Sequence, residues 1–283
     1  MSSDDLRPLS RAVLLCGAGH SGSTLLGLIL GSHTACFYCG EAGKVRYLGD
    51  PRKPLRKRVC KLCGEGCPLW SRFTWDRGEP LYEQIARAAG SPVIVDSTKS
   101  TRWITERLAE LAANGVPAVL VFLGRDGRAV INSRIRKYPE RDPGDLIRRW
   151  RRQIEASREL FEAHGGPKCE VRYEELASDP ERAVRRLCAV AGLDFEPDML
   201  AYERHEHHPL GGNNGTQYLV AKARFADPRQ AFVSLPERSR DYYRRHRGAI
   251  ALDLRWLEEL APEHRELFEE LAGDVNRELA WEP

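Results

Sequence analysis

The stretch Gly17-Ala-Gly-His-Ser-Gly-Ser-Thr24 concentrates the residues best suited to hold an anion. Its glycines let backbone approach a ligand closely, and Ser21, Ser23 and Thr24 add hydroxyl donors. Where such a turn opens a helix, the first backbone N–H groups have no partner within it. The helix dipole places partial positive charge beside them. That arrangement is an anion site, most naturally for phosphate. The spacing also approaches the nucleotide-binding loop G-x-x-x-x-G-K-[ST]. Gly17, Gly22 and Thr24 fill its positions, but Ser23 stands where the lysine belongs. In ATPases that lysine holds the terminal phosphates. A loop that keeps the glycines and lacks the lysine can cradle phosphate but is poorly equipped for ATP.

A second anion grip lies at Gly124-Arg125-Asp126-Gly-Arg128-Ala-Val-Ile-Asn-Ser133. Arg125 leaves the end of an apolar run, where its guanidinium can hold a phosphate through two parallel hydrogen bonds. Ser133 can add a hydroxyl. Two such sites suggest a ligand phosphorylated at two ends. Five cysteines form a separate group, with Cys36-x-x-Cys39 followed by Cys60-x-x-Cys63 and Cys67. Paired C-x-x-C steps have the spacing of a structural zinc site, in which four thiolates would satisfy the metal and one would be spare. Free thiols or a disulfide are the alternatives. His205, His207 and His208 also invite a metal reading, but the adjacent pair does not easily point one way, and we leave them out of the ligand set.

These groups need elements to position them. Ala12-Val-Leu-Leu-Cys16 reads as a strand buried on both faces, and Ser23 to Leu30 as an apolar helix. Leu81 to Ala89 is the next helix and Pro92 to Asp96 the next strand. Thr101 to Ala113 is helical, Val116 to Phe122 is a core strand, and Asp142 to His164 is a long helix. Its Arg148, Arg149, Arg151 and Arg152 read as a solvated face. Lys168 to Tyr173 is a further strand, followed by a helix that Ser178 or Asp179 caps ahead of Pro180. From Leu235 helical patterns dominate, with Ile250 to Leu260 and Pro262 to Leu279 as terminal helices. The expected fold is three-layer α/β, a short central parallel sheet flanked by helices. The chain reads as one domain over 1–283, with a Cys-rich insertion at about 36–70 and a helical part at about 235–283. Lys44 to Arg58 is polar, basic and irregular. Open sheets of this kind hold ligands at the C-terminal ends of their strands. Glu41 and Ser97-Thr-Lys99 fall on that edge.

The loop His20-Ser-Gly-Ser-Thr24 resembles the 5′-phosphosulfate loop of sulfotransferases that use 3′-phosphoadenosine 5′-phosphosulfate (PAPS). His20 stands where that family usually has Lys or Arg. The Arg125 to Ser133 run is similar to the family's 3′-phosphate signature, Arg-Asp-x-Arg-Ala-Val-x-x-Ser. The resemblance covers Val13 to about Gly212 and implies the P-loop-like sulfotransferase fold. It also implies transfer of a sulfonate from PAPS to a hydroxyl, leaving adenosine 3′,5′-bisphosphate (PAP). Gly19, His20, Ser21, Gly22, Ser23 and Thr24 would hold the 5′-phosphosulfate, and Arg125 and Ser133 the 3′-phosphate. Cys39-Gly40-Glu41 resembles the Cys-Gly-Glu of tyrosylprotein sulfotransferases, which makes Glu41 the candidate base. Asp96-Ser-Thr-Lys99 is similar to a recurrent bacterial feature, which makes Lys99, with His20, the candidate stabiliser of the leaving phosphate. The catalytic histidine of cytosolic sulfotransferases has no counterpart after this strand.

By the same resemblance Tyr173 lies near the nucleotide, as does Asn213 in a His-x-x-x-Gly-Asn segment. Tyr218 to Ala231, with Lys222 and Arg224, would close over bound PAPS. The similar Cys-rich knuckle of bacterial sulfotransferases, ending in Cys-Pro-x-Trp, favours Cys39, Cys60, Cys63 and Cys67 as zinc ligands, with Cys36 as the spare or alternate.

Composition narrows the remaining classes. Lys+Arg 44 against Asp+Glu 41 gives only +3, so bulk charge does not argue for a nucleic-acid partner. No apolar run is long enough to span a bilayer, and MSSDDLRPLSR lacks the apolar core of a signal peptide. A cytoplasmic location is expected, with the eight cysteines as thiols or metal ligands. The acceptor is expected to be a small-molecule, carbohydrate or natural-product hydroxyl, bound by loops within Lys44 to Arg77 and Tyr202 to Pro236. The competing classes are a small-molecule kinase using Mg-ATP and a non-catalytic nucleotide-binding module. Oligomeric state is not legible.

Overall fold

In the computed structural model, residues 9–245 and 250–282 are described. The N-terminal reading therefore falls largely on residues outside the described ones. Five short strands, β1 (Arg11–Cys16), β2 (Cys36–Tyr38), β3 (Val93–Asp96), β4 (Ala118–Gly124) and β5 (Lys168–Arg172), form one sheet in the order β2-β3-β1-β4-β5. Every pairing is parallel. Parallel strands covered by helices on both faces are apolar throughout, and Ala12 to Cys16 are all buried.

The chain passes from β1 through α1 (Ser23–Leu30) to β2 at one edge, then returns to β3 beside β1, and only later crosses to β4 on the other side. The connections thus diverge at β1, and an open α/β sheet holds its ligand in the crevice above such a point. All five strands end on the same edge. Their continuations are the Gly17–Gly22 loop, Cys39–Glu41, Ser97–Ser100, Arg125 and Tyr173.

Caps set where the helices begin. The Ser100 side chain accepts from the Trp103 N–H at 3.3 Å, and Asp126 from the Arg128 N–H at 2.8 Å. Asp142 caps the Pro143–Ala163 helix with proline in its first turn. Of the arginines in its first half, Arg148, Arg149 and Arg152 are exposed, while Arg151 reaches Asp274 at 2.8 Å. Lys44 to Arg58 begins within a 3-10 segment at Ala42–Tyr47 and ends in a helical turn at Leu55–Arg58.

One expected helix is corrected. Within Ile250 to Leu260 only Trp256–Glu259 is helical, because side chains from the sheet edge use the backbone before it. The Asp253 N–H donates to the Tyr173 hydroxyl at 3.1 Å, and its carbonyl accepts from Arg125 Nη2 at 3.2 Å. Among the described residues no helix is long and apolar enough to cross a membrane.

Candidate active site

A cleft of about 670 Å³ opens over the C-terminal edge of the sheet, and the phosphate-type loop forms its floor. Gly17 (φ +120°) and Gly22 (φ +94°) hold left-handed conformations. A Cβ on Gly17 would lie 2.5 Å from the Leu123 carbonyl oxygen, and one on Gly22 2.6 Å from the Tyr173 ring. Only glycine fits at either position. His20 holds φ +79° without being glycine, a strained conformation of the kind that marks ligand-binding turns. Its carbonyl accepts from Arg125 Nη1 at 3.1 Å, and the Gly19 carbonyl accepts from Arg134 Nη2 at 3.2 Å. Two guanidiniums thereby brace the backbone of the loop.

The first hydrogen bond of α1 runs from the Leu26 N–H to the Gly22 carbonyl at 3.1 Å, so the N–H groups of Ser23, Thr24 and Leu25 have no acceptor within the helix. Gly22, its N-cap, carries no side chain to cap them. Ser21 is 1% exposed, and its hydroxyl has no hydrogen-bond partner among the described residues. An orphaned buried hydroxyl next to free helix N–H groups fits an anionic ligand.

Arg125 and Ser133 line the same cleft. Arg125 stacks on the Tyr173 ring at 4.1 Å from its centroid, and its Nη2 lies 3.5 Å from Asp253. Its buried Nε has no partner among the described residues. Ser133 Oγ is hydrogen-bonded to His20 Nδ1 at 2.8 Å. His20 therefore belongs to the Arg125–Ser133 end of the cleft. Burial, together with Lys137, Arg134, Arg125 and Lys99, lowers its pKa to about 3. Burial among these cations favours the neutral imidazole at physiological pH. Asp253 is pulled down to about 2, because Arg255 and Arg125 together outweigh the opposing effect of burial.

Glu41 and Lys99 meet at the other end. Glu41 Oε2 pairs with Lys44 Nζ at 3.0 Å, and its carboxylate also accepts from the Gly212 N–H. Burial raises its pKa, but Lys99 and Lys44 bring it below the ordinary value. Lys99 donates to the Ser97 carbonyl at 2.6 Å. Burial lowers its pKa, and Glu41 and Asp96 partly restore it. Lys61, from the Cys-rich segment, also reaches this cleft.

Asp96 sets the Glu41 turn. Buried at the end of β3, it accepts from the Ala42 N–H (3.0 Å), the Thr98 N–H and hydroxyl (both 2.7 Å), the Tyr82 hydroxyl (2.7 Å) and Trp103 Nε1 (2.8 Å). Tyr173 holds the far wall, its hydroxyl donating to the Ala251 carbonyl at 3.0 Å. The Asn213 side chain is spent on capping the Asn214–Arg224 helix, accepting from the Thr216 N–H at 3.0 Å. What Asn213 brings to the loop is its backbone N–H, which donates to Thr24 Oγ1 at 2.9 Å.

Lys222 and Arg224 lie on the exposed side of that helix and do not line the cleft, and Arg224 faces Glu206 at 3.7 Å. Gly212 to Thr216, at and just before the start of that helix, line the cleft instead.

The expected zinc set is corrected at one position. Cys60, Cys63 and Cys67 meet His208, not Cys39. The Cys39 backbone is bound on both sides, its N–H to the Val95 carbonyl and its carbonyl by the Leu210 N–H. Its thiol is buried near Asp96. Cys36 is further off, beside Cys188 and Glu196. His207 turns the other way from His208 and bonds to the Tyr202 carbonyl at 2.9 Å, so the adjacent pair does diverge, yet one member still reaches the cysteines.

Asp96, Asp253, Lys61 and His208 were not assigned to the site from sequence. Asp96 had a signal in its place at the end of an apolar strand. Asp253 and Lys61 had none, because their neighbours in the cleft are remote in the chain.

A model of the sulfotransferase family matches residues 12–197. The sulfotransferase domain from the curacin biosynthetic pathway has a similar structure, with a TM-score of 0.55 at 17% identity, covering 95% of this chain and 98% of that one. The sulfotransferase domain of the Synechococcus PCC 7002 olefin synthase gives 0.52 at 20%, covering 96% and 98%. Mouse sulfotransferase SULT7A1, complexed with PAP, gives 0.52 at 12%, covering 97% and 89%. At these identities the structural likeness speaks for the fold. No curated protein sequence matches the chain.

Proposed function

The chain belongs to the sulfotransferase family, and on that premise we propose that it moves a sulfonate group from PAPS to the hydroxyl of a small-molecule or carbohydrate acceptor. The observation that carries this reading is the convergence of two anion grips and a carboxylate–lysine pair on one cleft. The grips are the Gly19–Thr24 loop with the start of α1, and Arg125 with Ser133. The pair is Glu41 and Lys99. A ligand with phosphate groups at both ends would span the grips, and PAPS is such a ligand. The PAP in the SULT7A1 structure supports the same class of nucleotide.

In this reading the loop N–H groups and the hydroxyls of Ser21, Ser23 and Thr24 hold the 5′-phosphosulfate, while Arg125 and Ser133 take the 3′-phosphate. Glu41 accepts the acceptor's proton as its oxygen bonds to sulfur. The sulfur–oxygen bond to the 5′-phosphate breaks, and PAP leaves with the electron pair on its bridging oxygen. Lys99 and the loop donors stabilise charge that develops there. Glu41 is ionised and so able to accept a proton, although Lys44 and Lys99 weaken it as a base. An anionic donor beside those lysines offsets part of that weakening. Neutral His20 orients Ser133, and its imidazole can take up a proton once a phosphate is bound beside it.

The test is calorimetric titration with PAP and with ATP, each with and without magnesium, followed by transfer of labelled sulfonate from PAPS to a panel of alcohols, phenols and sugars. Magnesium-independent PAP binding and acceptor-dependent turnover are expected. A preference for Mg-ATP with phosphoryl transfer would overturn the reading in favour of a kinase. PAP binding without any transfer would favour a non-catalytic module.

A further inference from the structure

The Cys-rich segment is the strongest feature that the transfer chemistry leaves unused. Three thiols and one imidazole, contributed by Cys60, Cys63, Cys67 and His208, have donor atoms all within 4.8 Å of one another. His208 Nδ1 lies 3.3 Å from Cys63 Sγ and 3.6 Å from Cys67 Sγ. Around tetrahedral zinc, with Zn–S near 2.3 Å and Zn–N near 2.0 Å, the sulfur-to-nitrogen edge is about 3.5 Å.

The surroundings fit a metal as well. The N–H groups of Leu62 and Cys63 point at Cys60 Sγ at 3.4 and 3.5 Å, and the Trp70 N–H at Cys67 Sγ at 3.5 Å. Such donors stabilise thiolate charge. The other ring nitrogen of His208 faces Glu206 at 3.3 Å, the carboxylate partner that commonly orients a metal-bound imidazole. A disulfide between any two of the cysteines would leave a third thiol and the imidazole with no role.

We propose that Cys60, Cys63, Cys67 and His208 bind one zinc ion, and that the ion positions the catalytic edge by pinning residues 208–213 to the Cys-rich loop. Leu210 is the middle of a three-segment ladder, bridged to Gly40 on one side and Cys60 on the other. The Glu41 N–H donates to the Leu210 carbonyl at 2.6 Å, the Leu210 N–H to the Cys39 carbonyl at 2.8 Å, and the Lys61 N–H to the Pro209 carbonyl at 2.9 Å. Two and three residues further on, the Gly212 N–H reaches the Glu41 carboxylate and the Asn213 N–H reaches Thr24. The ion therefore lies at the root of an extended segment whose backbone touches both the candidate base and the phosphate loop. Zinc with three thiolates and one histidine is coordinatively closed, which suits it to structure and not to chemistry on substrate.

The test begins with elemental analysis of the full chain purified without chelator, where one zinc per chain is expected. Exchange for cobalt(II) should give sulfur-to-cobalt charge transfer and tetrahedral d–d bands. Cys63→Ser should lose stoichiometric metal, and His208→Ala should weaken it by at least tenfold and shift the d–d bands. Cys39→Ser should keep it. Metal-free wild type would overturn the site, whether its thiols titrate freely in denaturant or fall short by a disulfide. So would metal that survives Cys63→Ser or is lost in Cys39→Ser. The positioning role is read by hydrogen exchange, which does not depend on any sulfotransferase activity. Removing zinc from wild type should speed exchange of the Glu41 and Leu210 amides at least tenfold, reversibly on adding zinc. Unchanged exchange at those two amides would leave zinc as a local staple and overturn the positioning role.

Discussion

Replacing Arg125 should separate the two ends of the nucleotide. The Nη atoms of Arg125 bond to the His20 and Asp253 carbonyls at 3.1 and 3.2 Å, while Nε has no partner among the described residues. A 3′-phosphate would meet the guanidinium through two charge-assisted hydrogen bonds, each contributing roughly 1.5–3 kcal/mol. The guanidinium must release part of its present contacts to make them, so the lower limit of the pair applies. About 3 kcal/mol then separates Arg125→Ala from wild type, or roughly a 100-fold rise in the PAP dissociation constant. Arg125→Lys keeps charge but not the fork, and about a tenfold loss is expected from one retained point contact.

The control is adenosine 5′-phosphate, which lacks the 3′-phosphate. Its affinity should change by less than about threefold in either variant, since those contacts never form. Calorimetry with both nucleotides on the three proteins gives the coupling directly. Equal weakening of the two nucleotides would refute the argument. It would show that Arg125 serves the cleft only by bracing the His20 carbonyl and the Asp253 segment.

Glu41→Gln should lower kcat about 100- to 10,000-fold, the usual range for a lost general base, and leave the PAP dissociation constant unchanged; near-normal turnover would remove Glu41 from the mechanism. Because the pKa of Glu41 is depressed below its ordinary 4.5, base function is fully present above 4.5 and lost only as pH falls through the lower, depressed pKa. The acceptor-dependent rate should therefore show no acid limb attributable to Glu41 between pH 5.5 and 8, and a limb centred above pH 6 that persists in Glu41→Gln would assign a different base. Asp96→Ala strands several buried donors, each costing roughly 1–3 kcal/mol, so urea unfolding should show a loss of about 4 kcal/mol or more after partial relaxation; a loss under about 1 kcal/mol would mean that Asp96 does not organise the Glu41 turn. Gly22→Ala forces a Cβ to 2.6 Å from the Tyr173 ring at φ +94°, and should abolish PAP binding; binding within threefold of wild type would show that the loop is not built around that glycine.

What the sequence by itself determined is local. An apolar run, a glycine turn and a helix start read as one anion site because all three are written within twenty residues, and the structure has them in that form. The parallel sheet was legible because strands buried on both faces are apolar throughout. The polar residues that end them then had to share its C-terminal edge. Glu41, Lys99, Arg125 and Tyr173 meet in the cleft for that reason, and Ser133 reaches it from the helix that follows Arg125.

Tertiary structure decided the rest. Ile250-Ala-Leu-Asp-Leu satisfies a helical pattern as well as an extended one, and only Tyr173 and Arg125, which bind its backbone, choose between them. His20 carries no mark in the sequence of being neutral, since that follows from its burial among four cations. His208 joins cysteines 141 and 145 residues away because Leu210 is bridged between Gly40 and Cys60. Spacing along the chain predicts partners only as far as a turn or a helix keeps them together. Beyond that, the pairing of remote backbone segments determines which side chains meet, and it turned one histidine of an adjacent pair toward the thiols and the other away.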